Sequence, residues 1–404
     1  MQITKLTSEV GWTFKEALPF PKAVRVGSRT IVGGVLPLNE RGEVVEPGDI
    51  EAQTHAVFQN MRRTLAGMGC RMEDLVRINT YYVYDGAEDQ ATRYWEKMTR
   101  VRLQYFPDPG PVGTAVRVRG IPLEGALIQI EAEAVAPEKG RERKRIMPDE
   151  SWDWSIPIPL SQGWRIDDHV WVGGQIAADR AGRAVALGDI DGQTRNVMMH
   201  IANVLRDSGG SFADLIHLKI CYMHRGDSAE AKRGLETIMR VVDEVCPTAV
   251  HTPTTAFGVN LLYEGLMLEI DATAVIGGRS SIAEGATENA NWPARKQAAK
   301  RGNLVYVSGQ SPARTHGLRQ DALDALGQVL NALAGLQVSP ERLAKLTVFL
   351  SPGLDGDDVD RILPELGAAL TARLGPNAPA VTVARVTGLP GNDVGLQMDA
   401  VAIL

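Results

Sequence analysis

Gln129, Glu269 and Gln397 stand at the same point of three similar stretches: Leu127-Ile128-Gln129-Ile130-Glu131-Ala132, Met267-Leu268-Glu269-Ile270-Asp271-Ala272 and Leu396-Gln397-Met398-Asp399-Ala400. Of the three, Glu269 alone is a carboxylate. A carboxylate facing a cleft is a candidate general base, because burial can tune its pKa. A strand glutamate facing solvent or a nearby cation is the competing reading. Ser308 is the one serine among three recurring small pairs, Gly33-Gly34, Gly173-Gly174 and Ser308-Gly309. Its hydroxyl and the adjacent backbone could bind a carbonyl or carboxyl oxygen. As a nucleophile it would need a nearby base, and no Gly-x-Ser-x-Gly elbow surrounds it, so a role in a backbone turn stands beside the chemical one. The seven histidines show no HExxH or other metal spacing. Cys70, Cys221 and Cys246 are an odd set without CxxC spacing, which supports neither a zinc site nor a disulfide framework and predicts reduced thiols. No cofactor is expected.

The elements that must position these side chains recur with them. Strand-like Ile31-Val32-Gly33-Gly34 returns as Trp171-Val172-Gly173-Gly174-Gln175 and as Tyr306-Val307-Ser308-Gly309-Gln310. Asp49-Ile50-Glu51-Ala52-Gln53-Thr54 returns as Asp189-Ile190-Asp191-Gly192-Gln193-Thr194, and each opens an amphipathic helix. Val57, Phe58, Met61 and Leu65 match Val197, Met198, Ile201 and Leu205, one apolar face at helical spacing. The third copy keeps Leu326, Val329 and Leu333 without the Gln-Thr pair. Ser211-Phe212-Ala213-Asp214 and Ser339-Pro340-Glu341 read as helix starts. β-Branched and aromatic runs follow at Ile78–Val83, Leu218–Tyr222 and Leu346–Leu350. Second helices are expected over Tyr94–Phe106, Ala229–Val245 and Val359–Leu374, and each copy closes with two strands. Alternation in the last strand sets its acidic and amide side chains on one face. Trp12 and Phe14 match Trp152 and Trp154, a repeated packing role at core or interface. The charged stretch Pro137–Glu150 and the small-residue stretch Gly277–Asn291 read as solvated linkers.

Length and composition agree with a multi-unit chain. At roughly 100–200 residues per domain, 404 residues predict two to four domains. Hydrophobic residues are 44% and charged ones 23%, the balance of a globular protein. A net charge of −6, spread along the chain, leaves no electrostatic footprint for nucleic acid or an anionic membrane, so a small-molecule substrate is the expected partner. Neither a signal-peptide pattern nor an apolar run of about 18 residues occurs, which points to the cytoplasm.

Together, the Tyr-Val-Ser-Gly-Gln segment, the Asp-Ile-x-x-Gln-Thr helix start and the terminal Ile-x-Ile-Glu-Ala strand resemble the Rid/YjgF family of enamine and imine deaminases. The resemblance covers nearly the whole chain, three times over. It implies an α+β fold of three tandem Rid/YjgF-like (chorismate mutase-like) ββαβαββ units, at 1–137, 151–277 and 290–404. Members of the family usually assemble as homotrimers with clefts between subunits. Three units in one chain therefore imply a monomeric intramolecular pseudo-trimer with three non-equivalent clefts, and a further pairing of two such molecules is left open.

The family's deaminases hold a substrate carboxylate with an arginine in a Pro-Ala-Arg strand, a geometry suited to a bidentate guanidinium. Here the strands read Pro111-Val112-Gly113-Thr114, Pro253-Thr254-Thr255 and Pro379-Ala380-Val381-Thr382, without it. Thr114, Thr254 and Thr382 occupy its place on one register; counting from the proline gives Gly113 and Val381 in the first and third copies. Arg117 and Arg385 lie four residues beyond, a displacement of roughly 13 Å along a strand, too far for direct replacement. Arg295 takes the place of the family's active-site tyrosine, where the other copies have Phe20 and Leu160; it offers a cation from another wall or is a surface loop arginine. The family's water-positioning glutamate matches Glu269. His251, just before the arginine position of the second copy, is a candidate proton carrier or a loop residue placed by chance.

The leading expectation is an enzyme acting on C–N bonds, by hydrolysis or deamination of an imine, enamine, amide or ring-containing metabolite, with one cleft active. A non-catalytic small-ligand-binding or sensor pseudo-trimer is the alternative. A ring-opening hydrolase or chorismatase-like enzyme is weaker, since the Ser-Lys dyad and glycine-rich motifs of the former are not visible.

Overall fold

The computed structural model describes residues 2–8, 10–278, 280–283, 296–354, 358–391 and 394–404. Among them the chain folds three times into the same arrangement. The first unit runs β1 (Ile3–Leu6), β2 (Ala23–Val26), β3 (Arg29–Val35), α1 (Ile50–Gly67), β4 (Leu75–Tyr82), α2 (Ala91–Arg102), β5 (Val112–Arg117) and β6 (Ile128–Val135). The second runs β7 (Arg143–Ile146), β8 (Gly163–Ile166), β9 (His169–Ile176), α3 (Ile190–Asp207), β10 (Leu215–Met223), α4 (Ser228–Val245), β11 (Thr254–Val259) and β12 (Leu268–Val275). The third runs β13 (Ser281–Ala283), β14 (Ala298–Arg301), β15 (Leu304–Gln310), α5 (Leu318–Gly335), β16 (Leu343–Leu350), α6 (Ile362–Leu374), β17 (Ala380–Arg385) and β18 (Leu396–Ile403). Each unit therefore has the expected ββαβαββ order with one more edge strand in front.

Each sheet has six strands, in the order β1-β2-β3-β6-β4-β5 for the first unit and equivalently in the others. All neighbours are antiparallel except the pairs joined by the second helix, β4–β5, β10–β11 and β16–β17. A parallel pair needs a long crossover, and α2, α4 and α6 supply it.

The repeated helix-start residues do structural work. Asp49 caps α1 by accepting from the Glu51 and Ala52 amides, and Asp189 caps α3 through Gly192. Gln53 donates to Gly125 O (2.9 Å) and accepts from the Leu127 amide (2.7 Å), tying α1 to the closing hairpin. Gln193 does the same with Gly265 and Met267. Asp49→Ala should lower stability by about 1 kcal/mol, read from urea unfolding.

Ser211 and Ser339 open short 3-10 helices, Phe212–Asp214 and Pro340–Arg342, which lead straight into β10 and β16. The charged 137–150 stretch is not wholly linker, because Arg143–Ile146 forms β7, the outer strand of the second sheet. Trp12 and Trp152 are buried as expected, against Phe14 and Trp154 respectively.

The units close into a ring. β5 packs on β9, β11 on β15 and β17 on β3. Backbone bridges Arg117↔Asn260, Gly258↔Gly388 and Gly120↔Arg385 seal the three seams. One apolar core runs through all three units.

The polar faces of the sheets meet at the centre in three layers, each set by cross-strand pairing. Arg77, His217 and Lys345 pair with Glu133, Thr273 and Val401; Asn79, Lys219 and Thr347 with Glu131, Asp271 and Asp399; Tyr81, Cys221 and Phe349 with Gln129, Glu269 and Gln397. A central cavity of about 20 Å³ lies among the first two layers. Its densest point is the Glu131 carboxylate, 2.6 Å from Lys345 Nζ, 3.6 Å from Lys219 Nζ and 2.7 Å from the Asn79 amide nitrogen.

Candidate active site

Cross-strand pairing fixes which residues of the three edge strands are equivalent. Ile78 pairs with Gly113, Leu218 with Thr254 and Leu346 with Val381, while Ile78, Leu218 and Leu346 all face equivalent alanines of the closing strand. Gly113, Thr254 and Val381 are therefore equivalent. Thr114 and Thr382 lie one residue on, with Thr255, and so on the central face of their strands; Thr114 Oγ1 donates to Asp271 at 3.2 Å and Thr382 is fully buried. Thr254, the equivalent of Gly113 and Val381, spends its hydroxyl on Thr252 O at 3.1 Å.

The three seams differ in what the closing strand brings to them. In the seam between the first and second units Glu269 lies over Gly174, whose missing Cβ is required, since an added one would land on the carboxylate. Gln129 and Gln397 lie over Gly34 and Gly309 in the same way. Glu269 is 5% exposed. Burial, reinforced by Asp271 and opposed by the Ala115 backbone amide, pushes its carboxyl up to about 8. At neutral pH it is a carboxylic acid, able to donate a proton.

The walls of this seam come from both units. Leu160 packs against Gly113, 3.1 Å from where an added Cβ would stand and so closer than ordinary contact. Arg117 is committed elsewhere: its guanidinium pairs with Glu88 at 2.7 Å and donates to Leu261 O at 2.9 Å. Tyr82, on β4, is buried with its hydroxyl unpartnered, and burial drives that hydroxyl far up. Trp95, on α2, meets Tyr263 of the second unit edge to face, with ring centroids 6.1 Å apart. Tyr263 OH in turn binds the backbone and side chain of Ser155, which belongs to the segment leading into β8.

The other candidates lie elsewhere. Ser308 sits in the second seam, on β15 against β11; its hydroxyl donates to Gln297 O at 3.1 Å and accepts from Gln310 Nε2 at 2.8 Å, which occupies it locally. His251 is exposed on the 3-10 turn Pro247–His251 before β11. Arg385 belongs to the third seam, half-exposed against Gly120. Arg295 lies outside the described residues. The structure thus brings Glu269, Thr114 and Arg117 to one seam and leaves Ser308, Thr254, His251, Thr382 and Arg385 at the others.

Sequence reasoning missed Tyr82, Trp95, Arg102 and Tyr263. One signal was readable for Arg102. It stands on the buried stripe of α2 with Ala91, Trp95 and Met98, a charge where helical spacing calls for an apolar residue. The equivalent stripe of α4 carries Ala231, Leu235, Ile238 and Val242.

Among the described residues no group of three or more His, Cys, Asp or Glu is placed to hold a metal ion, and no helix is long and apolar enough to cross a membrane. The three cysteines are free and buried.

Comparison with known proteins fits this geometry. Residues 13–136, 156–276 and 292–404 each match the family described as Endoribonuclease L-PSP. A RutC family protein of Pyrococcus abyssi is 34% identical over 119 residues, 29% of this chain and 85% of its own length. The 3-aminoacrylate deaminase RutC of Acinetobacter baylyi is 32% identical over 116 residues, 29% of this chain and 86% of its own. Among solved structures, a YjgF/YER057c/UK114 family member from Mycobacterium tuberculosis is 27% identical and covers 33% of this chain and 100% of its own, with a TM-score of 0.27. A chorismatase covers 63% of this chain and 76% of its own at 17% identity and a TM-score of 0.48. With three matches that together span most of its length, the chain belongs to the Endoribonuclease L-PSP family, the Rid/YjgF family of its motifs, and carries three of the family's units in one polypeptide.

Proposed function

We propose that the seam between the first and second units is an active site for hydrolytic deamination of a small enamine or imine, with Glu269 as its acid and base. The observation that carries this reading is the single carboxyl among three equivalent positions, buried and protonated near neutral pH. Its relationship to a protein named as a 3-aminoacrylate deaminase supports the reaction class.

For an enamine, the Glu269 carboxylic acid gives its proton to the terminal carbon, leaving an iminium. The resulting carboxylate takes a proton from water as the water oxygen adds to the iminium carbon. Glu269 then protonates the nitrogen, the C–N bond breaks and ammonia leaves. Loss of the hydroxyl proton to Glu269 completes the carbonyl product and restores the acid. Each step asks the same group to titrate near the working pH, which is what burial has arranged.

The test is ammonia release from 3-aminoacrylate and from 2-iminopropanoate generated in situ, against the uncatalysed rate. Turnover is expected, with kcat falling as pH rises through about 8 and the acid form is lost. No acceleration over the uncatalysed reaction with either compound would sink the proposal. A second check uses the glycines. Gly174→Ala forces Glu269 out of place and should lower kcat by about ten-fold or more, whereas Gly309→Ala, the same clash against Gln397, should leave it within about two-fold.

A further inference from the structure

Arg102 is a buried cation without a buried anion. It is 1% exposed, the last residue of α2, and its one side-chain hydrogen bond is a long one, 3.5 Å from NH2 to Thr80 Oγ1. Its Nε has no acceptor. Burial lowers its pKa to about 10, with Tyr82 acting in the opposite direction. A charged group in such a place is costly unless something pairs with it.

The polar atoms nearest in the fold share its condition. Trp95, Thr99 and Arg102 occupy one face of α2, at i, i+4 and i+7, and all three are buried. Trp95 Nε1 and Thr99 Oγ1 are buried without partners. Across from them, Thr80 and Tyr82 point from the same face of β4, and Tyr82 OH is likewise unpartnered. Every one of these orphaned groups can donate a hydrogen bond, and the acidic side chain that acts on them is Glu269, which faces Tyr82. A water-filled or accidental pocket would mix donors and acceptors, as the central cavity does with Asn79 Oδ1, Glu131 Oε2 and Arg77 Nε. A set of donors around one guanidinium selects an anion.

Its position relates it to the active site. Thr80 is paired directly with Ala115, and neighbouring strands lie about 4.8 Å apart. Gly113, where the family's clamping arginine would be rooted, lies two residues before Ala115 and on the same face. Glu269 reaches the Ala115 backbone amide. Tyr82 connects the two groups, since both Arg102 and Glu269 act on its hydroxyl.

The geometry points to an anion subsite formed by Arg102, Trp95, Thr99 and Tyr82, which seats the carboxylate of a small anionic substrate with its reacting carbon towards Glu269. This rests on the deaminase reading for the substrate, but not for the binding of the anion itself. The charge comes from α2, so the bound molecule lies across β4 and β5 rather than along β5, and the other two units lack the subsite: α4 has Met239 and Val242 where α2 has Thr99 and Arg102, and the buried face of α6 is wholly apolar.

The test is calorimetric titration with pyruvate as the anionic probe and methyl pyruvate as its uncharged counterpart, at pH 7 and low salt. The wild-type protein should bind pyruvate at least about ten-fold more tightly than the ester. Arg102→Met, which keeps the buried volume, should weaken pyruvate binding by about 100-fold and leave the ester unchanged. Trp95→Phe keeps the ring against Tyr263 and removes one donor; a drop of about five-fold in pyruvate affinity is expected, and it carries the test should Arg102→Met not fold. Equal binding of the two probes by the wild type overturns the subsite, as does an Arg102→Met protein, or a Trp95→Phe protein if the former is unfolded, that binds pyruvate as the wild type does. Glu269→Gln separates the two proposals: if it and the wild type bind pyruvate equally while neither turns over an enamine, the subsite stands and the catalytic reading falls.

Discussion

Replacing Glu269 by glutamine is expected to lower kcat for enamine hydrolysis by about 100-fold or more, the range measured for loss of a positioned acid or base. The amide has the shape of the protonated carboxyl and fills the same place over Gly174. The substitution therefore tests the proton and not the packing. Its effect on stability has the opposite sign. The carboxyl is raised from an ordinary value of 4.5 to about 8, so the native state holds its proton more tightly than the unfolded chain does. Its contribution is fully present below pH 4.5 and is lost as pH rises through 8. Glu269→Gln removes that slope. Urea unfolding at pH 6 and pH 9 should show the wild type losing stability over this interval and the variant losing less. A variant with wild-type kcat, or one whose stability follows the same pH slope, contradicts the assignment.

Glu131→Leu should cost the fold about 3–5 kcal/mol, the largest stability effect of any single substitution proposed for this chain. Glu131 comes from the first unit, Lys219 from the second and Lys345 from the third, and all three are buried or nearly so. Burial alone would raise the Glu131 carboxyl, but Lys345 and Lys219 outweigh it and hold it at about 2. Without it two ammonium groups face each other with Asp271 and Asp399 as their remaining carboxyls. Because its pKa is depressed, the contribution of Glu131 is present above pH 4.5 and fades as pH falls towards 2. Acid unfolding of the wild type should steepen in that window, and that of the variant should not. Combining Glu131→Leu with Lys345→Met should recover part of the loss, since the pair is coupled. A single variant within about 1 kcal/mol of the wild type would remove the central ion group from the account of stability.

How much of this was legible follows the range of the interactions. The three units were readable because their marks are local: the Asp49 and Asp189 caps, the Gln53 and Gln193 ties, and apolar stripes at helical spacing. The polar faces of the closing strands were readable too, as alternation. That these faces meet one another is a property of the ring, and no spacing announces that Lys219 and Lys345 will share one glutamate. The equivalence of Gly113, Thr254 and Val381 needed the pairing of Leu218 with Thr254, because Pro253 lies one residue before its member of the set and Pro111 and Pro379 lie two before theirs. Glu269 was visible as the odd residue of three. Arg102 was hidden by the habit of reading helical arginines as solvated, and the apolar residues one and two turns earlier are what betray it.

The strand once read as linker has a consequence for how these molecules meet. β7 is the open margin of the second sheet, and three of its four residues are Arg143, Lys144 and Arg145. Each is held in place, over the Trp164 ring, at Asp207 O and at Asp108 respectively. A second copy presenting the same margin would bring three fixed cations against three, and a strand bearing them is a poor template for pairing. The composition that disguises the strand in the sequence is thus the kind that blunts an open sheet edge.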